Sequence, residues 1–265
     1  LDSVRRAVEE DHIDALISIG GEHTMLINRQ VMDEIDLPIV GVPKTIDNDV
    51  TGTDYTFGFH TAVQIGTDAI DRLHSTAQSH DRVIVVEVMG RNSGWIAVFA
   101  GIAGGADAIV IPELELTVEE VARSIEHRHK RGKSFSIVVV AEGAELAFAS
   151  GERRLVRNTE ETDNYGYPRL GGIGMALGRE LERITGYETR VTVLGHIQRG
   201  GTPNEFDRVL ATRFGYHAAE LLIEGRFGRM VSLQGTEMTS VPLKWVEGVK
   251  TVDLKYLEIA RTFFG

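Results

Sequence analysis

The sequence LPIVGVPKTIDND occupies residues 37–49 and indicates an α/β fold. An apolar run that is typical of a buried strand ends at Val42, and the polar side chains that follow it include Lys44, Thr45, Asp47 and Asp49. In α/β proteins, ligands bind beyond the carboxyl ends of the strands. A carboxylate base, a second carboxylate that can partner a metal, and a nearby cation suit the transfer of a phosphoryl group to a hydroxyl. An Asp/Asn-rich turn that caps the next element is the alternative interpretation.

Apolar runs alternate with helical periods along the rest of the chain. Strands are predicted at 15–19, 39–42, 83–88, 108–111, 136–141, 188–194 and 230–233. Helices are predicted at 22–34, 59–79, 95–103, 117–131, 171–185, 205–224 and 254–264. Continuous apolar strands separated by amphipathic helices predict a mostly parallel sheet with helices on both faces. Boundaries between two lobes are predicted near Gly58 and near Arg199, where loops rich in motifs fall.

The composition disfavours several classes of protein: those that bind nucleic acid, those that span a membrane and those that contain disulfides. The net charge is −11, which disfavours nucleic acid and anionic membranes as partners. No run approaches the roughly 18 apolar residues of a membrane span. The absence of cysteine excludes disulfides and thiolate metal sites in this chain and fits a reducing, cytoplasmic location. Residues 1–10 read as the body of a helix without a cap, so we expect the natural chain to begin earlier.

The sequence GGEHT follows the first predicted strand and opens a predicted helix. Gly20 and Gly21 would let the backbone approach phosphate groups, whose charge is favoured at a helix N-terminus. Glu22 could hold Mg²⁺ directly or through water. A plain strand-to-helix turn with a capping acid is the alternative interpretation.

Positive charge is concentrated in two further motifs. In VMGRNSG, residues 88–94, Arg91 can stabilise charge on a transferring phosphoryl group. In RVTVLGHIQRGG, residues 190–201, two guanidinium groups and an imidazole form the local phosphate clamp that an anionic substrate requires in so acidic a chain. Solvated arginines in glycine turns are the alternative interpretation of both motifs.

Two other features have less specific patterns. Glu142 follows a buried-looking strand and suits hydrogen bonding to a sugar hydroxyl, although a helix-cap role also fits. The run HRHKRGK, residues 127–133, lies at a helix end, where cations offset the helix dipole. We therefore interpret this run first as a solvated face.

Together these strings resemble the phosphofructokinase family, most closely its actinobacterial type, which uses ATP or pyrophosphate. The matching strings occur in family order and cover nearly all of the chain: GGEHT, VPKTIDND, TDYTFGF, SHDRVIVVEVMGR, AGGADAIVIPE, VVVAEGAE and TRVTVLGHIQRGGTP. The resemblance implies two doubly wound, mostly parallel-sheet lobes with the active site in the cleft between them. Residues 1–58 and 200–265 would form the phosphoryl-donor lobe, and residues 59–199 the sugar-phosphate lobe.

The family transfers a phosphoryl group from ATP, or in some branches from pyrophosphate, to the 1-hydroxyl of fructose 6-phosphate. By resemblance, Asp47 is the general base, and the other catalytic residues are Thr45, Asp49 and Arg91. The residues implied to bind the sugar phosphate are Arg82, Met89, Gly90, Glu142, Arg190, His196 and Arg199. Those implied to bind the donor are Gly20, Gly21, His23, Thr24 and Lys44, while Glu22 organises Mg²⁺. Arg82 and Arg190 would reach the neighbouring subunit's site, so the resemblance implies a homo-oligomer.

Three departures from the family pattern affect these expectations. The family's opening GGxxPGxN-type loop and an upstream arginine are absent, so we expect an N-terminally truncated chain with little or no activity. His23 replaces the glycine of ATP users and the aspartate of pyrophosphate users, and Lys44 occurs in both classes. At the effector site, His74 replaces a basic residue, while the compatible residues are Asp107, Arg131 and Lys133.

ATP is the expected donor, and two alternatives within the family stay open. One is a pyrophosphate-dependent enzyme. The other is a non-catalytic homologue that binds sugar phosphate, against which the intact Asp47, Asp49 and Arg91 argue. A lipid or NAD kinase would share the glycine turn of GGEHT, but such kinases lack the LGHIQRGG clamp.

Overall fold

The computed structural model describes residues 2–155, 157–162 and 168–264. Its helices are α1 (Asp2–Glu10), α2 (Glu22–Ile35), α3 (Phe59–Ser79), α4 (Trp95–Ala103), α5 (Val118–Lys130), α6 (Ile173–Thr185), α7 (Glu205–Ile223) and α8 (Lys255–Arg261). Its strands are β1 (Leu16–Gly20), β2 (Ile39–Thr45), β3 (Phe57–Gly58), β4 (Val83–Val88), β5 (Ala108–Val110), β6 (Ser136–Ala141), β7 (Glu145–Ala147), β8 (Arg153–Leu155), β9 (Arg157–Thr162), β10 (Pro168–Leu170), β11 (Thr189–Val193), β12 (Arg229–Gln234) and β13 (Glu237–Pro242). Short 3₁₀ segments lie at Gly195–Arg199 and Leu243–Trp245.

The chain divides into two compact units. The first unit comprises Leu1–His60 and Pro203–Lys250, and the second comprises Thr61–Thr202 and Thr251–Gly265. The C-terminal segment from residue 251 therefore belongs to the second unit, whereas the prediction placed it with residues 1–58. The reason is local packing, because the ring of Tyr256 lies 5.1 Å from that of Phe99 on α4. Which ligand each unit binds stays a prediction.

The first unit is built on a sheet of strand order β1-β2-β12-β13, with β3 paired to the end of β2. β13 runs antiparallel to β12, and the other pairings are parallel. On one face, Val40 and Val42 pack with Phe214 of α7. On the other face, Met25 of α2 packs with Met230. Side chains of alternating direction thus bury both faces of the sheet, as a doubly wound arrangement requires.

The second unit contains a sheet of order β11-β4-β6-β5 in which every pairing is parallel. All residues of β4 and β6 are buried, as expected for central strands covered on both faces. One face packs against α5 and α6 through Ile125 and Leu177. On the other face, Gly101 of α4 lies so close to Ile109 that an added Cβ would come within 2.8 Å of its side chain.

The predicted fold class, mixed α/β with mostly parallel sheets, is confirmed. The predicted strands and helices are present, with ends that coincide with the prediction or shift by at most three residues. β2 continues through Thr45, further than its apolar run, because Lys44 and Thr45 pair with Phe57 and Gly58 of β3. The polar strand β13 and the short strands β3 and β7 to β10 were not predicted. Among the described residues, no helix is both long and apolar enough to cross a membrane.

Candidate active site

In the first unit, the parallel pairing of β1 with β2 places the GGEHT turn beside the end of β2. Gly20 pairs with Pro43, so both strands end at the same edge of the sheet. A Cβ on Gly20 would lie 2.2 Å from Thr24 Oγ1, which makes glycine necessary there. A Cβ on Gly21 would lie 3.5 Å from the Cβ of Thr45. The predicted donor-binding turn and the predicted catalytic Thr45 are therefore neighbours.

The two polar side chains at the start of α2 contact each other. His23 Nδ1 lies 3.1 Å from Glu22 Oε2, and the His23 side chain is 46% exposed. The imidazole thus leans along the start of the helix toward the carboxylate. Lys44, the other predicted donor-binding residue with a long side chain, is exposed near the end of β2.

The segment after β2 forms a tight turn around Asn48. Asn48 is fully buried and has a left-handed backbone with φ +51°. Its Oδ1 accepts a hydrogen bond from the Thr56 N–H at 3.1 Å. The Asp47 N–H donates to Thr45 Oγ1 at 3.2 Å. A buried amide therefore anchors the turn, with the half-buried Asp47 and Asp49 on either side of it.

The carboxylate of Asp49 lies in an unusual electrostatic environment. Burial raises the pKa of Asp49, and the neighbouring Glu22 raises it further, while Lys250 and His23 oppose this shift. Asp49 Oδ1 is buried and accepts no hydrogen bond from the described residues. The site therefore contains two neighbouring carboxylates, one of which has an open acceptor atom.

In the second unit, three strand ends bring predicted sugar-binding residues together. The Glu142 N–H donates to the Val88 carbonyl at 2.9 Å, and the Gly143 N–H donates to the Gly90 carbonyl at 3.0 Å. The Leu194 N–H donates to the Glu87 carbonyl at 3.0 Å. These bonds join the ends of β4, β6 and β11. The residues placed at this edge are Met89, Gly90, Arg91, Glu142, His196 and Arg199.

The turn after β4 packs tightly against the turn after β6. A Cβ on Gly143 would lie only 1.7 Å from the Arg91 carbonyl oxygen. Gly90 has φ +139°, and a Cβ there would lie 2.6 Å from the Ser93 carbonyl oxygen. Both positions therefore require glycine, which fixes the backbone of Arg91.

Glu142 is an acid at this edge of the sheet whose pKa is shifted by its surroundings. Burial raises its pKa, and Glu87 raises it further, whereas a hydrogen bond from the Gly90 backbone and the charges of Arg199 and Arg91 lower it. The two guanidinium groups thus lie close enough to Glu142 to favour its charged form. This grouping of one acid with two cations suits a sugar phosphate, which offers hydroxyls and a dianion.

Sequence analysis missed two buried side chains that hold this edge together. Gln198 is 1% exposed, and its Oε1 accepts a hydrogen bond from the Met89 N–H at 2.7 Å. Glu87 is 3% exposed, and its carboxylate accepts from the backbone of Gly172 and Gly174 at the start of α6. Two signals in the sequence could have identified these residues. Gln198 lies inside the LGHIQRGG motif, and Glu87 is a charged residue within an apolar strand.

Arg82 and Arg190 lie at the opposite end of the same sheet. They flank the first paired residues of β4 and β11, Val83 and Thr189. Both guanidinium groups pair with Glu188, and the Arg82 contact is 2.9 Å long. β11 spans roughly 15 Å at the usual rise of a strand. The structure therefore brings Arg82 and Arg190 together but keeps them apart from the His196 and Arg199 end.

Of the four residues expected at an effector site, Asp107 and His74 are engaged within the chain, and Arg131 and Lys133 are exposed. Asp107 Oδ1 lies 2.8 Å from Arg128 Nη1, and Asp107 Oδ2 accepts from the Ile137 N–H at 2.9 Å. The His74 ring nitrogen lies 2.6 Å from the Gly104 carbonyl oxygen. Asp107 is therefore part of a buried internal ion pair.

The family model described as phosphofructokinase matches residues 1–222 of the chain. The chain belongs to the phosphofructokinase family. A Streptomyces coelicolor protein named pyrophosphate–fructose 6-phosphate 1-phosphotransferase is 52% identical over 254 residues, 96% of this chain and 73% of that protein. Another from the same organism, named ATP-dependent 6-phosphofructokinase 3, is 50% identical over 267 residues, 97% of this chain and 75% of that protein.

A solved phosphofructokinase structure has the same fold. The structure of phosphofructokinase from Saccharomyces cerevisiae matches with a TM-score of 0.75 at 30% identity. The match covers 98% of this chain but 34% of the yeast chain. The chain thus spans about three quarters of these bacterial phosphofructokinases and about a third of the yeast chain.

The first unit contains carboxylates of the kind that bind the Mg²⁺ implied by the family resemblance. Among the described residues, no group of three or more His, Asp or Glu side chains could hold a metal alone. Glu22 and Asp49 nevertheless offer hard oxygen ligands, and the Oδ1 of Asp49 is an open acceptor. Mg²⁺ commonly takes one or two carboxylates and completes its coordination with substrate phosphates and water. The residues therefore fit a cation that arrives with a phosphoryl donor.

Proposed function

We propose that the full-length protein carrying this chain transfers a phosphoryl group from ATP to the 1-hydroxyl of fructose 6-phosphate, giving fructose 1,6-bisphosphate. The observation that carries this proposal is the turn at Asp47–Asp49, which lies at the end of β2 beside the GGEHT turn. A positioned carboxylate next to a backbone that can approach phosphates suits this reaction. The test is an assay of fructose 1,6-bisphosphate formation with ATP and with pyrophosphate.

Each predicted residue then has a role. Asp47 accepts the proton of the attacking hydroxyl, which makes the oxygen a better nucleophile. Thr45 and Asp49 flank the transferring group, and Arg91 stabilises the charge that develops on it. Glu22, with Asp49, would hold Mg²⁺, which neutralises charge on the phosphates when it is bound. Catalysis of this kind depends mainly on positioning and electrostatics, so the fixed turns described above are essential to it.

The sugar phosphate would be held by two sets of residues from different subunits. Arg91, Glu142, His196 and Arg199 lie at one end of the second unit's sheet, and Arg82 and Arg190 lie at the other. One phosphate cannot reach both ends of β11, so within a homo-oligomer we assign the Arg82–Arg190 pair to the site of the neighbouring subunit. This supports the shared site that the family resemblance implies.

Arg190→Ala should raise the KM for fructose 6-phosphate about 10-fold or more and change kcat less. The reason is that a charge-assisted contact to the phosphate contributes to ground-state binding as well as to the transition state. Initial rates over a range of fructose 6-phosphate concentrations measure this change. Arg183→Ala is the matched control, because Arg183 is 65% exposed and pairs with Glu180.

Mixed oligomers test whether the site is shared. Oligomers that combine Arg190→Ala subunits with Asp47→Ser subunits should regain activity, since some sites receive both intact residues. No regained activity in mixed oligomers of verified composition would contradict the shared site.

ATP is our proposed donor, and His23 is the residue that we expect to govern the choice. Its imidazole contacts Glu22, and it lacks the fixed negative charge by which an aspartate repels nucleotide phosphates. Pyrophosphate is a second candidate, because a relative 52% identical to this chain is named for it.

Replacement of His23 should change the preference between donors. His23→Gly should raise kcat/KM for ATP severalfold by removing bulk at the turn, and His23→Asp should lower it by about 10-fold or more through charge repulsion. Paired assays with ATP and pyrophosphate at fixed fructose 6-phosphate measure the ratio. If neither variant changes the ratio, His23 does not select the donor. His12→Gly, at an exposed position, is the control.

A further inference from the structure

Lys250 is a long cationic side chain outside every motif that the proposed function uses. Its Nζ donates to Asn48 Oδ1 at 3.0 Å, to the Thr53 carbonyl at 2.8 Å and to the Asp54 carbonyl at 2.8 Å. An ammonium group has three N–H donors and no acceptor. The donors of Lys250 are therefore directed into the turn that follows β2 rather than toward a ligand.

The backbone of the same segment is also joined to this turn. The Lys250 N–H donates to the Asp49 carbonyl at 2.8 Å, and Val249 forms an antiparallel bridge with Val50. The main chain of Lys250 is thus bonded to the turn at Asp49, and its side chain is bonded to Asn48, Thr53 and Asp54. This contact joins residues about 200 positions apart in the sequence.

Asn48 connects Lys250 to the catalytic carboxylates. Asparagine adopts the left-handed conformation more readily than most residues, and the hydrogen bonds of its side chain hold Asn48 in it. Its side-chain oxygen accepts from both Lys250 and Thr56, and its amide nitrogen donates to the Asp54 carbonyl at 3.3 Å. The directions of its neighbours, Asp47 and Asp49, therefore depend on this hydrogen-bonded amide.

The charge of Lys250 fits this role. Burial lowers the pKa of Lys250 to about 8, while the carboxylates of Asp54 and Asp49 oppose that shift. The three oxygen acceptors around Nζ favour the ammonium form. Its donors are charged, and hydrogen bonds from charged donors are stronger than those between neutral groups.

We propose that Lys250 is a positioning residue that holds Asn48 and thereby fixes Asp47 and Asp49 for phosphoryl transfer. This inference rests on the proposed function, because it assigns Lys250 to the same site. Lys250 does not touch the substrates. It acts by keeping the base and its neighbouring carboxylate within the small tolerance that catalysis requires.

Lys250→Met tests the inference in the full-length enzyme. Methionine keeps much of the length of the side chain but removes the charged donor from three acceptors, two of which, Asn48 Oδ1 and the Asp54 carbonyl, keep one other donor. We expect kcat to fall roughly 10- to 100-fold, since small displacements of catalytic groups have effects of that size. The Kd for fructose 6-phosphate should stay within about threefold, because its predicted ligands lie in the second unit. Lys244→Met, at an exposed lysine of the same segment, should leave both unchanged.

Two further variants separate positioning from mere support of the fold. Lys250→Arg keeps a charged donor and should recover part of kcat. In an Asp47→Ser background, Lys250→Met should lower kcat by less than about threefold, since the group that it positions is already missing. A full multiplicative loss in that background would overturn the inference. An unchanged kcat in Lys250→Met with only a lowered Tm would also overturn it. If Lys250→Met does not fold, Lys250→Gln is judged by the same criteria.

Hydrogen exchange keeps this inference separate from the proposed function. If the wild-type enzyme forms no fructose 1,6-bisphosphate with either donor, the proposed function fails. Amide exchange at residues 47–56 still reports on the turn in that case. Faster exchange in Lys250→Met than in Lys244→Met would support the positioning of the turn, and equal exchange would overturn it.

Discussion

In the full-length enzyme, Asp47→Ser should lower kcat roughly 10²- to 10⁴-fold, the range typical of a positioned general acid or base. Asp47 lies in the turn after β2, where its backbone N–H donates to Thr45 Oγ1 at 3.2 Å. Serine keeps that backbone bond but cannot accept the proton of the sugar hydroxyl at neutral pH. Binding of fructose 6-phosphate should change far less, because the loss concerns the chemical step.

Steady-state rates and direct binding of fructose 6-phosphate together measure this effect. Asp33→Ser removes an exposed carboxylate from α2 and should leave both quantities unchanged. A kcat for Asp47→Ser within about threefold of the wild-type value would reject Asp47 as the base.

Gly143→Ala should have a similarly large effect through geometry alone. The added methyl group would lie 1.7 Å from the Arg91 carbonyl oxygen, so one of the two turns must move. A shift of about 1 Å in a catalytic group can reduce the rate about 100-fold, and we expect kcat to fall by about that factor. Overpacking should also lower the free energy of unfolding by about 1–3 kcal/mol.

Gly215→Ala provides a matched control for this substitution. Gly215 lies inside α7, and a Cβ there would have no heavy atom within 4 Å beyond its chain neighbours and the backbone of its own helix. Alanine at that position should stabilise the helix slightly, since it has the higher helix propensity. Denaturant unfolding and steady-state rates check both variants. Unchanged kcat in Gly143→Ala would show that the Arg91 turn does not need its described position.

The sequence predicted those parts of the fold that are encoded by local patterns. The apolar runs of β4 and β6 and the amphipathic period of α3 gave their bounds without change, because burial on both faces leaves an unbroken apolar signal. β13 escaped prediction because it is a polar strand, although Gly235, with φ +60°, marks its hairpin turn. The placement of residues 251–265 depended on the packing of Tyr256, which no local pattern reveals.

The candidate site also contains residues that local sequence patterns predict and residues that they do not. Asp47 and Arg91 were predicted because each follows a strand in a recognisable turn motif, and ligands bind at the ends of parallel strands. Lys250 could not be predicted from a local pattern, since the role that we propose for it depends on a contact with Asn48, which is far away in the sequence. To predict that Arg82 and Arg190 are separated from His196, the directions of the strands must be known. Those directions follow only from the pairing of β4 with β11.

The first unit is discontinuous, and this has a consequence for how the protein is made. Its two segments, Leu1–His60 and Pro203–Lys250, are separated by most of the second unit. At usual rates of synthesis, the ribosome needs on the order of ten seconds to produce the intervening residues. During that time Val40 and Val42 lack their partners on α7, and the turn at Asn48 lacks Lys250. The nascent chain therefore exposes an apolar surface that chaperones can recognise, and the turn at Asn48 gains its contacts with Lys250 only when translation has passed residue 250.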